Sequence, residues 1–206
     1  MKRVLCFGDS NTWGAIPNTN DLRYDETQRW PKMLQNLLGS DYEIIEEGLP
    51  SRTLCTFDTR PERMHTMGYQ YFVPCVYSHD KLNYIILMLG TNELKTEYQN
   101  TCPKILNMLK IYVNFVRNFK SKIDNSTPML IVCGLSPIDE GLYTPPHKFE
   151  GATNKVLEVN KMFETFCKEN KLTFVDNSDL EVGADGLHFT ALAHKLLAEK
   201  LAPLLK

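Results

Sequence analysis

The sequence predicts an α/β protein whose parallel sheet is covered by helices on both faces. Short apolar runs alternate along the chain with stretches in which apolar residues recur at helical spacing, as expected for strands joined by crossover helices. The run Tyr84–Leu89 is apolar throughout, which is typical of a central strand buried on both faces. The chain has no internal repeat and no low-complexity linker, so one domain over residues 1–206 is expected.

Each predicted element rests on a local pattern. Five apolar runs predict strands at Val4–Phe7, Tyr42–Ile45, Tyr84–Leu89, Met129–Cys133 and Thr173–Val175. Helical periodicity predicts helices at Thr27–Leu38, Thr101–Phe119, Thr153–Asn170 and Thr190–Leu205. Pro31 in the first turn and Gly39 after the last turn delimit the first helix. Thr101 with Pro103 opens the second helix, and Thr190 is a suitable N-cap for the last.

Composition excludes several classes of partner. The chain has 206 residues, of which 43% are apolar and 23% charged, and its formal net charge is −2. Such a charge gives no reason to expect nucleic acid as a partner, and no apolar run is long enough to cross a membrane. The apolar run after Arg3 ends at Gly8, which is too short for a secretory signal. We therefore expect a cytoplasmic protein that binds neither nucleic acid nor membranes.

The cysteines predict no metal site. None of the six forms a C-x-x-C pair, and no histidine cluster stands beside them in the sequence. Cys6 and Cys133 lie inside apolar runs and are expected to be buried thiols. This pattern suits a reducing compartment and implies neither a metal nor an organic cofactor.

A polar turn follows the first predicted strand. Gly8 allows the chain to turn sharply, and Asp9, Ser10, Asn11 and Thr12 follow it. In a parallel sheet, ligands bind at the carboxyl ends of the strands, so Ser10 would lie there. The same residues also suit a plain turn or a loop whose hydroxyl and amide groups hold a phosphate.

Two further segments supply polar side chains suited to catalysis. Asn92, in the turn after the most apolar strand, could donate its side-chain amide to a developing oxyanion. Asp185 and His188 stand three residues apart before the last helix. A serine hydroxyl needs a base to take its proton and a third group to orient that base. Ser10, His188 and Asp185 could provide these roles, although a turn and a helix-capping histidine are the simpler interpretations.

A fourth polar segment, residues 46–53, follows the second strand. Gly48 permits a tight turn, and the backbone N–H of residue 48 or 51 could point into the same edge of the sheet. Arg52 could be a solvated charge or could tether a carboxylate of this loop. The loop indicates little by itself, but four polar turns at one sheet edge together suggest a catalytic site.

These segments resemble the GDSL or SGNH family of serine esterases and acylhydrolases over nearly the whole chain. The blocks that carry the resemblance appear in the family's order: Gly8-Asp9-Ser10, residues 48–53, Gly90-x-Asn92 and Asp185-x-x-His188. Longer matches are similar to the arylesterase/acyltransferase branch: Gly8-Asp9-Ser10-x-Thr12-Trp13-Gly14, Arg29-Trp30, Glu46-Glu47-Gly48-Leu49, Met88–Asn92 and Gly186-x-His188-Phe189-Thr190.

The resemblance implies a fold and a set of roles. It implies a three-layer α/β/α sandwich around a five-stranded parallel sheet of flavodoxin-like order. Ser10 would be the nucleophile, His188 the base and Asp185 its orienter. The oxyanion would be held by the Ser10 amide, the Asn92 side chain and the Ser51 amide, with Gly48 as the alternative to Ser51. Many members of the family have glycine at the position of Ser51.

Two departures from the family pattern concern neighbours of these residues. Glu93 replaces the aspartate that usually follows the asparagine, and it is not a catalytic position. Asn11 stands where leucine is common and is expected to make the pocket more polar. We expect Trp13, His147 and Phe149 to wall a narrow pocket together with Asn11, within or beside the long irregular segments 16–26 and 136–151.

The predicted function is hydrolysis of small, short-acyl carboxylic esters through an acyl-serine intermediate. An acyltransferase or a carbohydrate O-deacetylase with the same triad is the alternative within this chemistry. A phosphate-binding module of flavodoxin-like fold is the non-enzymatic alternative, and it would have no need of Asp185 and His188. The apolar residues of the loops at 67–77 and 141–151 also suggest a homo-oligomer in which a neighbour narrows the entrance.

Overall fold

The computed structural model, which describes residues 1–19, 22–143 and 145–205, contains one five-stranded sheet in which all strands are parallel. The strands are β1 (Lys2–Gly8), β2 (Tyr42–Gly48), β3 (Tyr84–Met88), β4 (Met129–Cys133) and β5 (Thr173–Val175). Their order across the sheet is β2-β1-β3-β4-β5. The predicted parallel sheet and its flavodoxin-like order are therefore confirmed.

Six α-helices accompany the strands in the described part of the chain. They are α1 (Ser10–Trp13), α2 (Trp30–Leu38), α3 (Gly68–Ser78), α4 (Cys102–Asn118), α5 (Ala152–Glu169) and α6 (Ala191–Leu201). Short 3₁₀ turns lie at Gly39–Asp41, Pro61–Thr66, Thr91–Leu94, Thr96–Tyr98, Pro146–Phe149 and Ala202–Leu204. Thr190 caps α6 through its side-chain oxygen, as predicted, and Thr101 caps α4 in the same way.

Successive residues of β1 face opposite sides of the sheet and enter two separate cores. Leu5 and Phe7 pack with buried residues of α3, α4 and α5, whereas Val4 and Cys6 pack with α2 and α6. This alternation follows from the two-residue period of a strand. The helices therefore form one layer on each face, which confirms the three-layer sandwich.

The buried thiols lie where the sequence placed them. Cys6 and Cys133 belong to the core shared with α2 and α6, and burial raises the pKa of the Cys133 thiol to about 12. All six cysteines are free thiols. Among the helices that the structure describes, none combines the length and the apolar character required to cross a bilayer.

Four helices differ from the sequence prediction. Helix α2 begins at Trp30 rather than Thr27, because the amide and hydroxyl of Thr27 both bind the Asp25 carboxylate in a turn. Helix α6 ends at Leu201 and continues as a 3₁₀ turn, since Pro203 has no N–H for the next helical hydrogen bond. Helices α1 and α3 were not predicted from the sequence.

Segment 67–77, expected to be a loop rich in aromatic residues, is mostly helix α3. The helix starts at Gly68 and contains Pro74, two residues that argue against a helix in the sequence. Tertiary packing overrides them, because Phe72 and Val76 are fully buried against α4. The irregular segments 16–26 and 136–151 contain Asn20, Asp21 and Thr144, which lie outside the described residues.

Candidate active site

The structure brings Ser10, His188 and Asp185 together at the carboxyl edge of the sheet. Ser10 is the first residue of α1 and lies two positions after the end of β1. Asp9, between them, caps the helix by accepting a hydrogen bond from the Asn11 amide. The Oγ atom of Ser10 lies 3.0 Å from Nε2 of His188. The Nδ1 atom of His188 lies 2.7 Å from Oδ2 of Asp185. These distances are those of a nucleophile, a base and an orienting carboxylate.

Asp185 is held as a carboxylate by its hydrogen bonds. Burial opposes its ionisation, but the ring and amide of His188 and the amide of Leu187 outweigh that effect and lower its pKa to about 2. The two amides donate to Oδ1 at 3.0 Å each, and Oδ2 contacts the imidazole and also accepts the Asn18 amide at 3.2 Å. Gly186, with a φ of 65°, allows this tight turn. A Cβ atom there would lie 2.1 Å from the carbonyl oxygen of Asp139.

Asn92 and Ser51 line the same cavity as Ser10. The Nδ2 atom of Asn92 donates one hydrogen bond to the Arg52 carbonyl at 3.0 Å, which fixes the amide and leaves its second N–H for another acceptor. Ser51 has a φ of 64°, a left-handed conformation that favours glycine. Its amide donates to no acceptor among the described residues. Asn92 and the Ser51 amide are thus available to hold an oxyanion beside Ser10.

Gly48, the alternative to Ser51, lies elsewhere. It is the last residue of β2, paired with Gly8 of β1, and it does not line the cavity that holds Ser10. A Cβ atom on Gly48 would lie 2.2 Å from the backbone nitrogen of Trp13. A glycine at position 48 therefore allows the close contact between β2 and α1. The geometry favours Ser51 over Gly48 as the donor of the backbone N–H to the oxyanion.

The comparison with protein families decides the identity of the chain. The family model of GDSL-like lipases and acylhydrolases matches residues 4–201. The chain belongs to this family. A comparison with curated proteins gives no match.

This acylhydrolase is also similar to several solved structures of esterases. It is similar to the native aryl esterase of M. smegmatis, with 30% identity, a TM-score of 0.91, and coverage of 100% of this chain and 98% of that chain. It is also similar to Est24, a carbohydrate acetylesterase from Sinorhizobium meliloti, with 30% identity, a TM-score of 0.89, and coverage of 99% of this chain and 100% of that chain. The protein is a carboxylic ester hydrolase with the fold of the SGNH hydrolases.

Arg52 of this acylhydrolase is neither a solvated charge nor a carboxylate tether. Its side chain is buried and donates through Nη1 to the carbonyl oxygens of Gly8, at 2.9 Å, and of Glu47. Its guanidinium carbon lies 4.3 Å from the centre of the Phe7 ring. Arg52 therefore joins the carboxyl ends of β1 and β2 beneath the Ser51 loop, a role that depends on tertiary contacts.

Glu93 has a structural task that the sequence did not reveal. It is fully buried, and its Oε1 atom accepts the amide of Leu54 at 2.6 Å as well as those of Cys55 and Thr56. Its Oε2 atom has no partner among the described residues. Burial raises the pKa of Glu93 to about 7 despite these hydrogen bonds. The residue beside Asn92 thus anchors the loop that follows Ser51.

The cavity at the triad is small, with a volume of about 170 Å³. Among the described residues its lining comprises Ser10, Pro50, Ser51, Arg63, Asn92, Lys95, Tyr143, Lys148, Phe149, Leu187 and His188. Phe149 therefore lines this cavity. The cavity is also lined by three cationic residues, Arg63, Lys95 and Lys148. They were not singled out from the sequence, because they come from separate segments that meet only in the fold.

The other predicted pocket residues do not line this cavity, so these expectations are corrected. Asn11 is buried beneath it: its Nδ2 atom donates to Ser136 Oγ at 3.1 Å and to the Leu187 carbonyl at 3.2 Å, and its Oδ1 atom accepts the Phe189 amide at 2.9 Å. These bonds hold the two neighbours of His188. The other two corrections concern Trp13 and His147.

Trp13 and His147 are engaged outside the cavity. The carbonyl of Trp13 accepts a hydrogen bond from Arg23 Nε at 2.6 Å, and the Arg23 guanidinium carbon lies 5.3 Å from the centre of the Trp13 ring. His147 is exposed, and its carbonyl accepts the Thr96 hydroxyl at 2.8 Å. Both side chains therefore belong to the surface around the site.

A separate cluster offers three possible metal ligands. Possible ligand atoms of Glu47, Cys75 and His79 lie within 4.8 Å of one another. The sequence did not indicate this cluster, because β2 and α3 bring its members together. Burial raises the pKa of the Cys75 thiol to about 12, whereas a metal binds the thiolate. Glu47 Oε1 already accepts the Tyr71 hydroxyl at 3.2 Å and lies 3.3 Å from His79 Nε2, so the cluster fits a hydrogen-bond network better than a metal.

Proposed function

We propose that this acylhydrolase cleaves small, short-acyl carboxylic esters through an acyl-enzyme intermediate on Ser10. The observation that carries the proposal is the hydrogen-bonded line from Ser10 to His188 to Asp185 at a small cavity. A phosphate-binding loop has no need of this line. The non-enzymatic alternative therefore loses its support.

Acylation of the enzyme uses each residue of the line. His188 Nε2 takes the Ser10 proton while Oγ attacks the ester carbonyl carbon, and the carbonyl oxygen becomes an oxyanion held by the amides of Ser10 and Ser51 and by Asn92. Asp185 stabilises the imidazolium that forms. When the C–O bond to the alcohol breaks, His188 gives its proton to the leaving oxygen, and the acyl group remains on Ser10.

Deacylation repeats the same steps with water. His188 takes a proton from a water molecule as the water oxygen attacks the acyl carbon, and the same donors hold the second oxyanion. Collapse of this intermediate breaks the bond to Ser10 Oγ, which recovers its proton from His188. The carboxylic acid then leaves, and the enzyme returns to its starting state.

The size of the cavity supports a short acyl group. Its volume of about 170 Å³ is below the range of roughly 300–1,000 Å³ that is usual for ligand pockets. We expect kcat/KM for 4-nitrophenyl esters to be highest from acetyl to butyryl and to fall about tenfold or more towards decanoyl. A rate that rises with chain length up to decanoyl would contradict the proposal.

A second candidate is removal of acetyl groups from carbohydrates. The similarity to Est24, named a carbohydrate acetylesterase, favours it. Acetylated sugars and 4-nitrophenyl acetate should be compared at equal enzyme concentration. A kcat/KM for the acetylated sugar above that for the aryl ester would favour deacetylation, and ester formation from an added alcohol would favour acyl transfer.

We also propose that the protein forms a homo-oligomer. Tyr71, Tyr77 and Leu142 are 42%, 49% and 51% exposed, and apolar surfaces of this kind often mark contacts between subunits. Phe149 does not contribute, because it is buried in its own subunit. Light scattering should give a mass above 23.7 kDa; a monomer with full activity would contradict the idea that a neighbour shapes the entrance.

A cytoplasmic location remains part of the proposal. Six free thiols, five of them buried, suit a reducing compartment. Fractionation of cells that express the protein would test it. Recovery in the extracellular fraction would contradict it.

A further inference from the structure

The substrate cavity carries three cationic side chains from three separate segments of the chain. Arg63, Lys95 and Lys148 line it together with Ser10 and His188, whereas no Asp or Glu of the described residues lines it. We propose that these cations bind an anionic group, such as a carboxylate, that the ester substrate carries beside its scissile bond. This inference rests on the esterase function proposed above and specifies its class of substrate.

Lys95 is the central observation. The residue is only 4% exposed, although lysine is almost never buried so far without a partner. No described residue offers its ammonium a hydrogen bond or an ion pair within the usual distances, and the centre of the Tyr98 ring lies 5.9 Å from it. The pKa of Lys95 is lowered to about 8, mainly by burial and further by the charges of Lys148 and Arg63. A buried cation of this kind costs free energy that an anion would offset.

Arg63 places a second cation beside the oxyanion donors. Its Nη1 atom donates to the Ser51 hydroxyl at 2.7 Å. A planar guanidinium has further N–H donors for a carboxylate. Since the Ser51 amide is proposed to hold the ester oxyanion, an anionic group bound by Arg63 would belong to the same substrate molecule.

Lys148 approaches the cavity from the segment 136–151. Its ammonium lies 5.9 Å from the centre of the Tyr143 ring, and both residues line the cavity. Lys148 is therefore placed to add to the positive potential at the entrance, where it can attract an anionic substrate.

Nearby carboxylates, Glu97 and Glu93, offset the burial of Lys95 only in part. Glu93 is committed through Oε1 to three backbone amides, and burial raises its pKa to about 7. Glu97 pairs with Arg60 at 2.9 Å. Asp9 caps α1 through the Asn11 amide, and burial raises its pKa to about 6. Each carboxylate near Lys95 thus has its own partner or a reduced tendency to ionise.

A different role for Lys95 would leave a different kinetic signature. If Lys95 stabilised the ester oxyanion, its loss would lower the rates of neutral and anionic esters by the same factor. If it binds an anionic group of the substrate, its loss lowers kcat/KM for anionic esters selectively. The ratio of kcat/KM between paired esters therefore separates the two roles.

Two ester pairs distinguish the acyl side from the alcohol side. Monoethyl succinate and ethyl butyrate differ by a carboxylate on the acyl group, and 4-acetoxybenzoate and 4-acetoxybenzamide differ by one on the leaving group. We expect the wild type to prefer the anionic member of at least one pair. Lys95→Met should lower that preference about tenfold, as for loss of a charge-assisted hydrogen bond. Lys161→Met, on the exposed face of α5, is the matched control and should leave the ratio unchanged.

Calorimetric binding tests the anion site without catalysis. The Ser10→Ala variant, titrated with monoethyl succinate and with 4-acetoxybenzoate, should bind at least one of them. Adding Lys95→Met should weaken that binding about tenfold. A thermal melt of Lys95→Met would show that the variant is folded before it is compared.

The outcomes separate this inference from the proposed function. An enzyme that hydrolyses neutral esters but disfavours both anionic esters would overturn the anion site and leave the esterase proposal intact. Equal losses for neutral and anionic esters in Lys95→Met would also overturn it. The enzyme could also lack activity on every ester while its Ser10→Ala variant still binds the anions through Lys95. That result would overturn the esterase proposal alone.

Discussion

The Nε2 atom of His188 lies 3.0 Å from the Oγ atom of Ser10, although 178 positions separate the two residues in the sequence. The contact exists because β1 ends beside the turn that precedes α6. A base at this distance can accept the serine proton without rearrangement. The geometry therefore makes activity depend on a neutral imidazole at His188.

That dependence predicts a pH profile. We expect kcat/KM to require a neutral imidazole, whereas Asp185, whose pKa is lowered to about 2, stays ionised across the assay range. His188→Ala should make kcat/KM far less sensitive to pH and lower kcat by several orders of magnitude, on the order of 10³ or more. Initial rates in a constant-ionic-strength buffer series measure both effects. The exposed His65 provides a control, since His65→Ala should keep the wild-type profile.

Asn92→Ala should lower kcat by about 10²–10³-fold with little change in KM, because it removes one donor to the oxyanion. Steady-state kinetics with 4-nitrophenyl acetate measures this. Asn100→Ala is a matched control: Asn100 is also buried and also donates to a backbone carbonyl, that of Glu93 at 3.1 Å. Comparable losses of kcat in both variants would assign the effect to packing rather than to the oxyanion.

Asn11→Ala should lower both stability and kcat without changing the preference for acyl length. The change leaves the Leu187 carbonyl and the Phe189 amide without the partner that positions His188, and each such loss costs about 1–3 kcal/mol. Urea denaturation and rates with acetyl to decanoyl esters measure the two effects. A changed preference for acyl length would instead indicate that Asn11 lines the substrate pocket.

Glu93→Gln should change how stability depends on pH. Because burial raises the folded-state pKa of Glu93 to about 7 from its ordinary 4.5, the folded state holds a proton that the unfolded state releases between these values. Its contribution to stability is therefore full below pH 4.5 and is lost as the pH rises through about 7. Glutamine has no such proton, so the variant should gain stability relative to wild type across this range, by up to roughly 3 kcal/mol.

Thermal or urea unfolding of both proteins from pH 4.5 to pH 8 would measure this difference. Glu164→Gln, a change at an exposed position of α5, is the control and should show no pH-dependent difference from wild type. A stability difference between Glu93→Gln and wild type that stays constant with pH would refute the assignment.

The sequence allowed much of the fold to be predicted, because strands buried on both faces are continuous apolar runs. Tyr84–Met88 is entirely buried, and the next residue along the chain begins the turn that carries Asn92. Helix α3 was not predictable in this way, since Gly68 and Pro74 lower the local helical preference and only packing against α4 offsets them.

Residues of the candidate site could be predicted where they belong to short sequence motifs. Residues whose roles depend on contacts between distant segments could not. Ser10 and His188 could be named from motifs at the ends of the chain. The tasks of Arg52 and Glu93 follow from burial and from carbonyl or amide partners, which a linear sequence does not display. Asn11 was assigned to the pocket because it adjoins Ser10, but the α1 turn directs its side chain away from the cavity.

The central claim is that Ser10 is the nucleophile, and a covalent adduct tests it most directly. A fluorophosphonate probe phosphonylates the serine that its neighbouring base activates. After incubation of the wild type with the probe, tryptic mass spectrometry should locate the adduct on Ser10. Ser10→Ala should remain unlabelled and inactive with a melting temperature close to that of the wild type. An adduct on another serine, or an active Ser10→Ala variant, would contradict the account.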